Sequence, residues 1–177
     1  MANNVAVHPG CDPDAFGGIL LNLRPEDRHE FAAMGADPLE LPWEWVEQAG
    51  TEAWTFFYKG QPTFVWGTTE VLPGVRGLWG WGTKHTRRVI PEATRWGRRW
   101  WLPKTFGDGR ARRIEVRVPV SSQHSLAWLQ SIGMRVECAL HHLSVTGEPM
   151  LQLSYTKTDY EREYVHFQGS ENSAGPH

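Results

Sequence analysis

The sequence predicts an α/β protein built on one mixed sheet, and three features predict it. Aromatic and β-branched runs broken by turn signals form a meander between Thr51 and Thr83. The stretch Val75 to Val118 reads as a strand, a helix and a strand, long enough for a right-handed parallel crossover. A further helix and two strands follow, giving the order β-α-α-β-β-β-α-β-α-β-β. At 177 residues the chain suits one domain with a real core.

Residues 1–15 carry Asn, Pro, Gly and Asp with little to bury, and read as a flexible arm. Phe16 to Leu23 is a short apolar run that reads as an edge strand and starts the domain, which is expected to span 16–158. Arg24-Pro25-Glu26-Asp27 reads as a helix start, with proline in the first turn and carboxylates that suit the helix dipole. That helix runs to Met34 and stops at Gly35. Asp37-Pro38 opens a second helix toward Gly50.

Strands follow at Thr51–Tyr58, Thr63–Val71 and Val75–Thr83, joined by turns at Lys59-Gly60-Gln61-Pro62 and Pro73-Gly74. Gly80 and Gly82 inside the third strand mark a bulge or a close approach. Pro91 opens a helix to about Thr105, with Trp96 and Trp100 on one side and Arg95, Arg98 and Arg99 clustered at helical spacing. Ile114, Val116 and Val118 alternate with charged residues as a one-faced strand. Ser121 or Ser122 caps a helix that Gly133 ends. Strands at Arg135–Val145 and Met150–Thr158 close the domain, and 159–177 reads as a flexible polar tail.

Charge is unevenly spread. Eleven of the eighteen Lys and Arg residues lie between Lys84 and Arg117, against three acids there, whereas residues 1–50 hold nine acids. That predicts one positive patch on a chain of net charge -2. Cys11 and Cys138 make no disulfide framework and have no zinc spacing, so no metal is expected and both read as reduced thiols. His141-His142 has no third ligand spaced nearby. MANNVAVHPG has neither the basic segment nor the apolar core of a secretory signal, and no apolar run reaches membrane length, so no membrane partner is expected.

Four stretches, taken in order, carry a resemblance: Arg24-Pro25-Glu26-Asp27; Gly60-Gln61-Pro62 with Phe64-Val65-Trp66-Gly67; Leu78-Trp79-Gly80-Trp81-Gly82-Thr83; and Leu126 through Met134. Together they resemble the GNAT acyltransferases, and more particularly the GNAT-like internal virion and head-associated proteins of short-tailed phages. The resemblance implies a GNAT-like α/β fold whose central sheet splays beside Val75–Thr83. In active members a glycine-rich loop after that strand cradles the cofactor pyrophosphate on backbone N–H groups. Here the matching stretch, Lys84 to Pro91, has no glycine. If acetyl-CoA binds, the resemblance puts it against Trp81, Thr83, Lys84, Thr86, Arg87 and Arg88, gripped by cationic side chains. Anchoring on Gly133-Met134 puts Leu129 where many members carry the tyrosine that protonates the leaving thiolate, and Ser122 at the asparagine position.

Glu70, His85, Glu115 and His141 are the candidate general bases, with nothing to select among them. Loss of both motif elements, together with ten tryptophans, favours a virion-associated structural or accessory protein on a degenerate acyltransferase fold. Its expected partners are other virion proteins or a second copy of the chain, with no cofactor, first in the host cytoplasm and then in the virion. An acetyl-CoA-dependent N-acetyltransferase is the alternative. Nucleic-acid contact through Arg95, Arg98, Arg99, Arg110, Arg112 and Arg113 is a third reading, weighed against a pI of about 6.4.

Overall fold

The computed structural model describes residues 4–41, 46, 51–109 and 111–163. Seven strands form one sheet in the order β1-β2-β3-β4-β5-β7-β6. These are β1 (Val5–Pro9), β2 (Glu52–Tyr58), β3 (Gln61–Leu72), β4 (Val75–Gly82), β5 (Arg113–Pro119), β6 (Arg135–Leu140) and β7 (Met150–Thr156). Every neighbouring pair is antiparallel except β4 with β5, which are joined by the expected crossover. The helices are α1 (Pro13–Leu21), α2 (Pro25–Met34), α3 (Ile90–Trp96), α4 (Leu102–Gly107) and α5 (Gln123–Ser131).

The predicted order of elements holds, but its beginning shifts. Phe16 to Leu23 is not an edge strand. It belongs to α1, because Asp12 caps the helix by accepting from the Ala15 amide at 2.8 Å and Pro13 presets the first turn. Ala15, Phe16, Ile19 and Leu20 then repeat at helical spacing and are buried. The edge strand is β1, inside the stretch expected as an arm, and it pairs with β2 from Val5↔Tyr58 to Pro9↔Trp54. A second shift is at the other end. Thr156 and Asp159 cap one another, with the Asp159 carboxylate accepting from the Thr156 amide at 3.0 Å and the Thr156 hydroxyl accepting from the Asp159 amide at 3.2 Å. A helical turn over 157–163 follows where a tail was expected, and Tyr160 stacks on Phe106.

Two further expectations change. β6 stops at Leu140, and His141 and His142 lie in a turn where His142 takes a φ of 59°. After Asp37-Pro38 only a single 3-10 turn, Pro38–Glu40, falls within the described residues; Trp43, Trp45 and most of the expected second helix lie outside them.

Two apolar cores flank the sheet. One, under α3, α4 and α5, gathers Trp54, Phe56, Phe64, Trp66, Trp101 and Phe106. The other, under α1 and α2, gathers Phe16, Ile19, Phe31, Val65 and Trp81. Most tryptophans are thereby absorbed into packing, while Trp100 stays 62% exposed. Trp66 meets Trp101 edge-on at 4.8 Å and 86°, a geometry that aims a positive ring edge at a negative face.

The crossover helix is interrupted by a π-turn at Gly97–Trp101, in which the Leu102 amide reaches back to the Gly97 carbonyl. Gly97 lies against Trp66, so closely that a Cβ would sit 2.4 Å from the ring. Gly97→Ala pits a helix-propensity gain of at most about 1 kcal/mol against overpacking of about 1–3 kcal/mol. Urea unfolding is expected to show a net loss of stability, and a stabilised variant would show that the ring has room to move.

Candidate active site

β4 and β5 pair only over Val75–Gly77 with Arg113–Glu115, and then diverge. A cavity of about 330 Å³ opens where they part. Phe64, Leu78, Trp128 and Leu129 line it from one core, and Phe31, Trp79 and Trp81 from the other. Trp79 lies flat across Gly67, its cross-strand partner, where a Cβ would come within 2.2 Å of the indole. The Trp79 indole N–H donates to Thr69 at 3.2 Å, which fixes the ring, and the ring stacks on Trp81 with centroids 5.0 Å apart.

Helix α2 is pinned beside the opening. The Thr83 amide donates to Thr63 on β3, so by strand alternation the amide and carbonyl of Gly82 face away from β3, toward the cleft. Both are taken by the start of α2. The Gly82 amide donates to the Asp27 carboxylate at 2.6 Å, and the Arg24 amide donates to the Gly82 carbonyl at 3.0 Å. Asp27 is 0% exposed, and its other oxygen accepts from the Arg24 guanidinium at 2.8 Å. Burial raises the Asp27 pKa, and the Arg24 partnership opposes that rise.

One turn along α2, Glu30 lines the cavity. The Ser125 hydroxyl, from α5, donates to its carboxylate at 2.6 Å. Desolvation raises the Glu30 pKa, the Ser125 hydrogen bond lowers it, and the nearby Asp27 charge raises it again; the net direction is upward. A carboxylate held in an apolar cavity with an elevated pKa is the type of group that accepts a proton near neutrality. The signal was present in the sequence: Asp27, Glu30, Phe31 and Met34 fall at i, i+3, i+4 and i+7, one face of a helix.

The expected bases sit elsewhere, and none lines the cavity. Glu70 is exposed and accepts from the Gly74 amide in the β3–β4 turn. Glu115 is engaged by Arg113 and Arg117 on its own strand. His85 and His141 are exposed. Leu129 does line the cavity, at the position the resemblance assigns to a tyrosine, and Ser125 is the hydroxyl one turn before it. The basic cluster is divided: Arg95 pairs with Glu92, Arg98 lies near Glu163, Arg99 sits over Trp100, and Arg113 is held by Glu115 and Glu137. Arg112 is exposed, and Arg110 lies outside the described residues.

The expected phosphate loop forms a 3-10 turn at Thr86–Arg88. Four of its amides are spent internally: Thr86 donates to Thr83, Arg88 to His85, Val89 to Thr86, and His85 to the Thr83 hydroxyl. The Thr86 hydroxyl donates back to the Thr83 carbonyl at 2.6 Å and fills the space where a Gly82 Cβ would stand. Those four amides are closed to a diphosphate. Trp81 lines the cavity and Thr83 and Thr86 are buried, but Lys84, Arg87 and Arg88 are exposed on the turn. Arg87, 75% exposed, reaches His124 at 3.1 Å and Glu26 at 4.0 Å. These side chains fit the anionic end of a coenzyme as point contacts.

No protein-family model and no curated protein matches the sequence. Solved structures do match in fold. The aminoglycoside acetyltransferase AAC(6')-Ib, with ribostamycin and coenzyme A, superposes with a TM-score of 0.63 at 15% identity, covering 90% of this chain and 97% of that one. A GNAT-family acetyltransferase from Chromobacterium violaceum gives 0.64 at 17% identity, covering 91% and 92%. Another from Streptococcus pneumoniae gives 0.60 at 13% identity, covering 86% and 98%. The chain has the GNAT fold. None of these three is described as a phage or virion protein, so the comparisons lend nothing to the expected structural role in a particle. Among the described residues no helix is long and apolar enough to cross a membrane.

Glu30→Gln separates burial from charge. Because the folded Glu30 pKa lies above its ordinary value of 4.5, its favourable contribution is present below that value. The contribution is lost as pH rises through the folded value, at about 1.4 kcal/mol per unit of elevation. The variant is expected to match the parent at about pH 4 and exceed it in stability at about pH 8 in urea unfolding. A variant less stable at both values would mean the carboxylate is a net stabilising partner.

Proposed function

We propose that the protein is an N-acyltransferase that acylates a primary amine in the cavity between β4 and β5, with Glu30 as general base. The observation that carries this reading is the desolvated Glu30 carboxylate in the opening between the diverging strands. The GNAT fold and its acetyltransferase neighbours support it.

The chain's residues supply four things. The apolar walls keep water from the reacting amine. Glu30 accepts a proton from the amine nitrogen, so that its lone pair is free to attack. Ser125, one turn before Leu129 on α5, holds the Glu30 carboxylate in place. Lys84, Arg87 and Arg88 hold the anionic end of an acyl-coenzyme A donor through side chains. When bound, that donor would supply a thioester carbonyl: as the N–C bond forms and the C–S bond breaks, the second proton shed by the acylated nitrogen would go to the departing thiolate.

Mass spectrometry of product formed from acetyl-CoA and a panel of primary amines tests the reading. The parent is expected to form amide, and Glu30→Gln to lower kcat by about 10²–10⁴-fold. Lys84→Ala combined with Arg88→Ala is expected to raise the donor KM by about tenfold with kcat little changed, the mark of lost ground-state binding. No product with any amine, together with no thermal shift from millimolar acetyl-CoA, would overturn it.

A further inference from the structure

We infer that the amine taken by this cavity is a small monocation with an aromatic or branched apolar body, not a polycation. The inference rests on the acyltransferase reading for its chemistry, but on the cavity alone for its selectivity.

Charge decides the first half. Among the described residues of the lining Glu30 is the one carboxylate, and it shares that lining with Arg24 and Arg117. Arg24 is neutralised by Asp27 within the pin. Arg117 is half-exposed and is held by Gln152 at 2.9 Å, with Glu115 only at 3.9 Å. One ammonium can pair with Glu30. A second or third would meet no further carboxylate among the described residues of the lining and would approach the Arg117 guanidinium instead. Like charges in a poorly solvated cleft repel far more than they do in water.

Shape and chemistry of the walls decide the second half. Trp79 and Trp81 are stacked, and Phe31 packs against Trp81 with centroids 5.1 Å apart, so one wall is a laminate of rings. Leu78, Val116 and Trp128 also line the cavity. Removing an apolar group from water against such walls is favourable at about 25 cal/mol per Å². A hydroxylated sugar gains little there and loses hydrogen bonds to water. The volume fits the same description. At about 30 Å³ for each water in the liquid, the cavity of about 330 Å³ holds roughly eleven waters. That suits a ring system with a short amine arm and leaves room for an acyl group. Trp79 and Arg117 are the selectivity residues: the first supplies a ring face, the second excludes additional positive charge.

Calorimetry on the full chain without donor reads selectivity independently of turnover. Tryptamine and phenethylamine are expected to bind at least tenfold more tightly than spermidine or kanamycin. Trp79→Ala is expected to weaken the aryl amines by about tenfold, with folding checked by circular dichroism. Arg117→Glu, a change at a half-exposed side chain of the lining, is expected to raise spermidine affinity at least tenfold. Tighter binding of the polycations, no binding of either aryl amine, or an unchanged spermidine affinity in Arg117→Glu would overturn the inference. Aryl-amine binding without any product would instead overturn only the acyltransferase reading.

Discussion

A single buried carboxylate organises the functional half of this molecule. Asp27, withdrawn from water, binds the Gly82 amide and the Arg24 guanidinium together, while the Arg24 amide binds the Gly82 carbonyl. Burying a charge is costly unless it is paired and hydrogen-bonded, and here both conditions are met within four residues of one helix start. The consequence is positional. With Asp27 fixed at the end of β4, the next inward position of α2 puts Glu30 in the cavity, within reach of Ser125 on α5. Without the pin, nothing else described here ties the first turn of α2 to β4 apart from the short bridge between Leu23 and Thr83.

Around that pin the sheet is opened and then partly refilled. Parallel pairing of β4 with β5 lasts only three residue pairs, and the gap beyond it becomes the cavity. Glycines in β4 admit close neighbours: a Gly80 Cβ would come within 3.2 Å of Phe64, and the Thr86 hydroxyl stands where a Gly82 Cβ would be. The Thr86 hydroxyl seals the Thr83–Thr86 turn on the Thr83 carbonyl, and separate bonds occupy the amides of His85, Thr86, Arg88 and Val89. The GNAT fold is therefore present with a 3-10 turn bearing the exposed cations Lys84, Arg87 and Arg88 after β4.

Much of this was legible in the residues, for identifiable reasons. The meander, the crossover and the closed phosphate turn follow from local signals: the hairpin turns, Pro91 at the helix start, and a loop without glycine. The helix start at Arg24-Pro25-Glu26-Asp27 was legible too, but Asp27 reads locally as a dipole partner, and only the tertiary structure reveals its bond to Gly82 fifty-five residues away. α1 was hidden because a four-residue apolar repeat interrupted by Gly17-Gly18 looks like a short strand until Asp12 is recognised as its cap. β1 was hidden because its alternation is only two residues long, Val5 and Val7 packed on the core, before His8-Pro9. Glu30 was missed because bases were sought on strands beside the splay, whereas the helix lying along it supplies the carboxylate.

The central claim is that the opening between β4 and β5 is a binding site with Glu30 as its reactive group. A crystal structure of the chain soaked with an aryl-alkyl amine tests it most directly. The account predicts density for the amine between Trp81 and Val116, with its nitrogen within about 3.2 Å of a Glu30 carboxylate oxygen. An amine bound elsewhere, or a cavity closed by Trp79 and Met34 at saturating ligand, would contradict it.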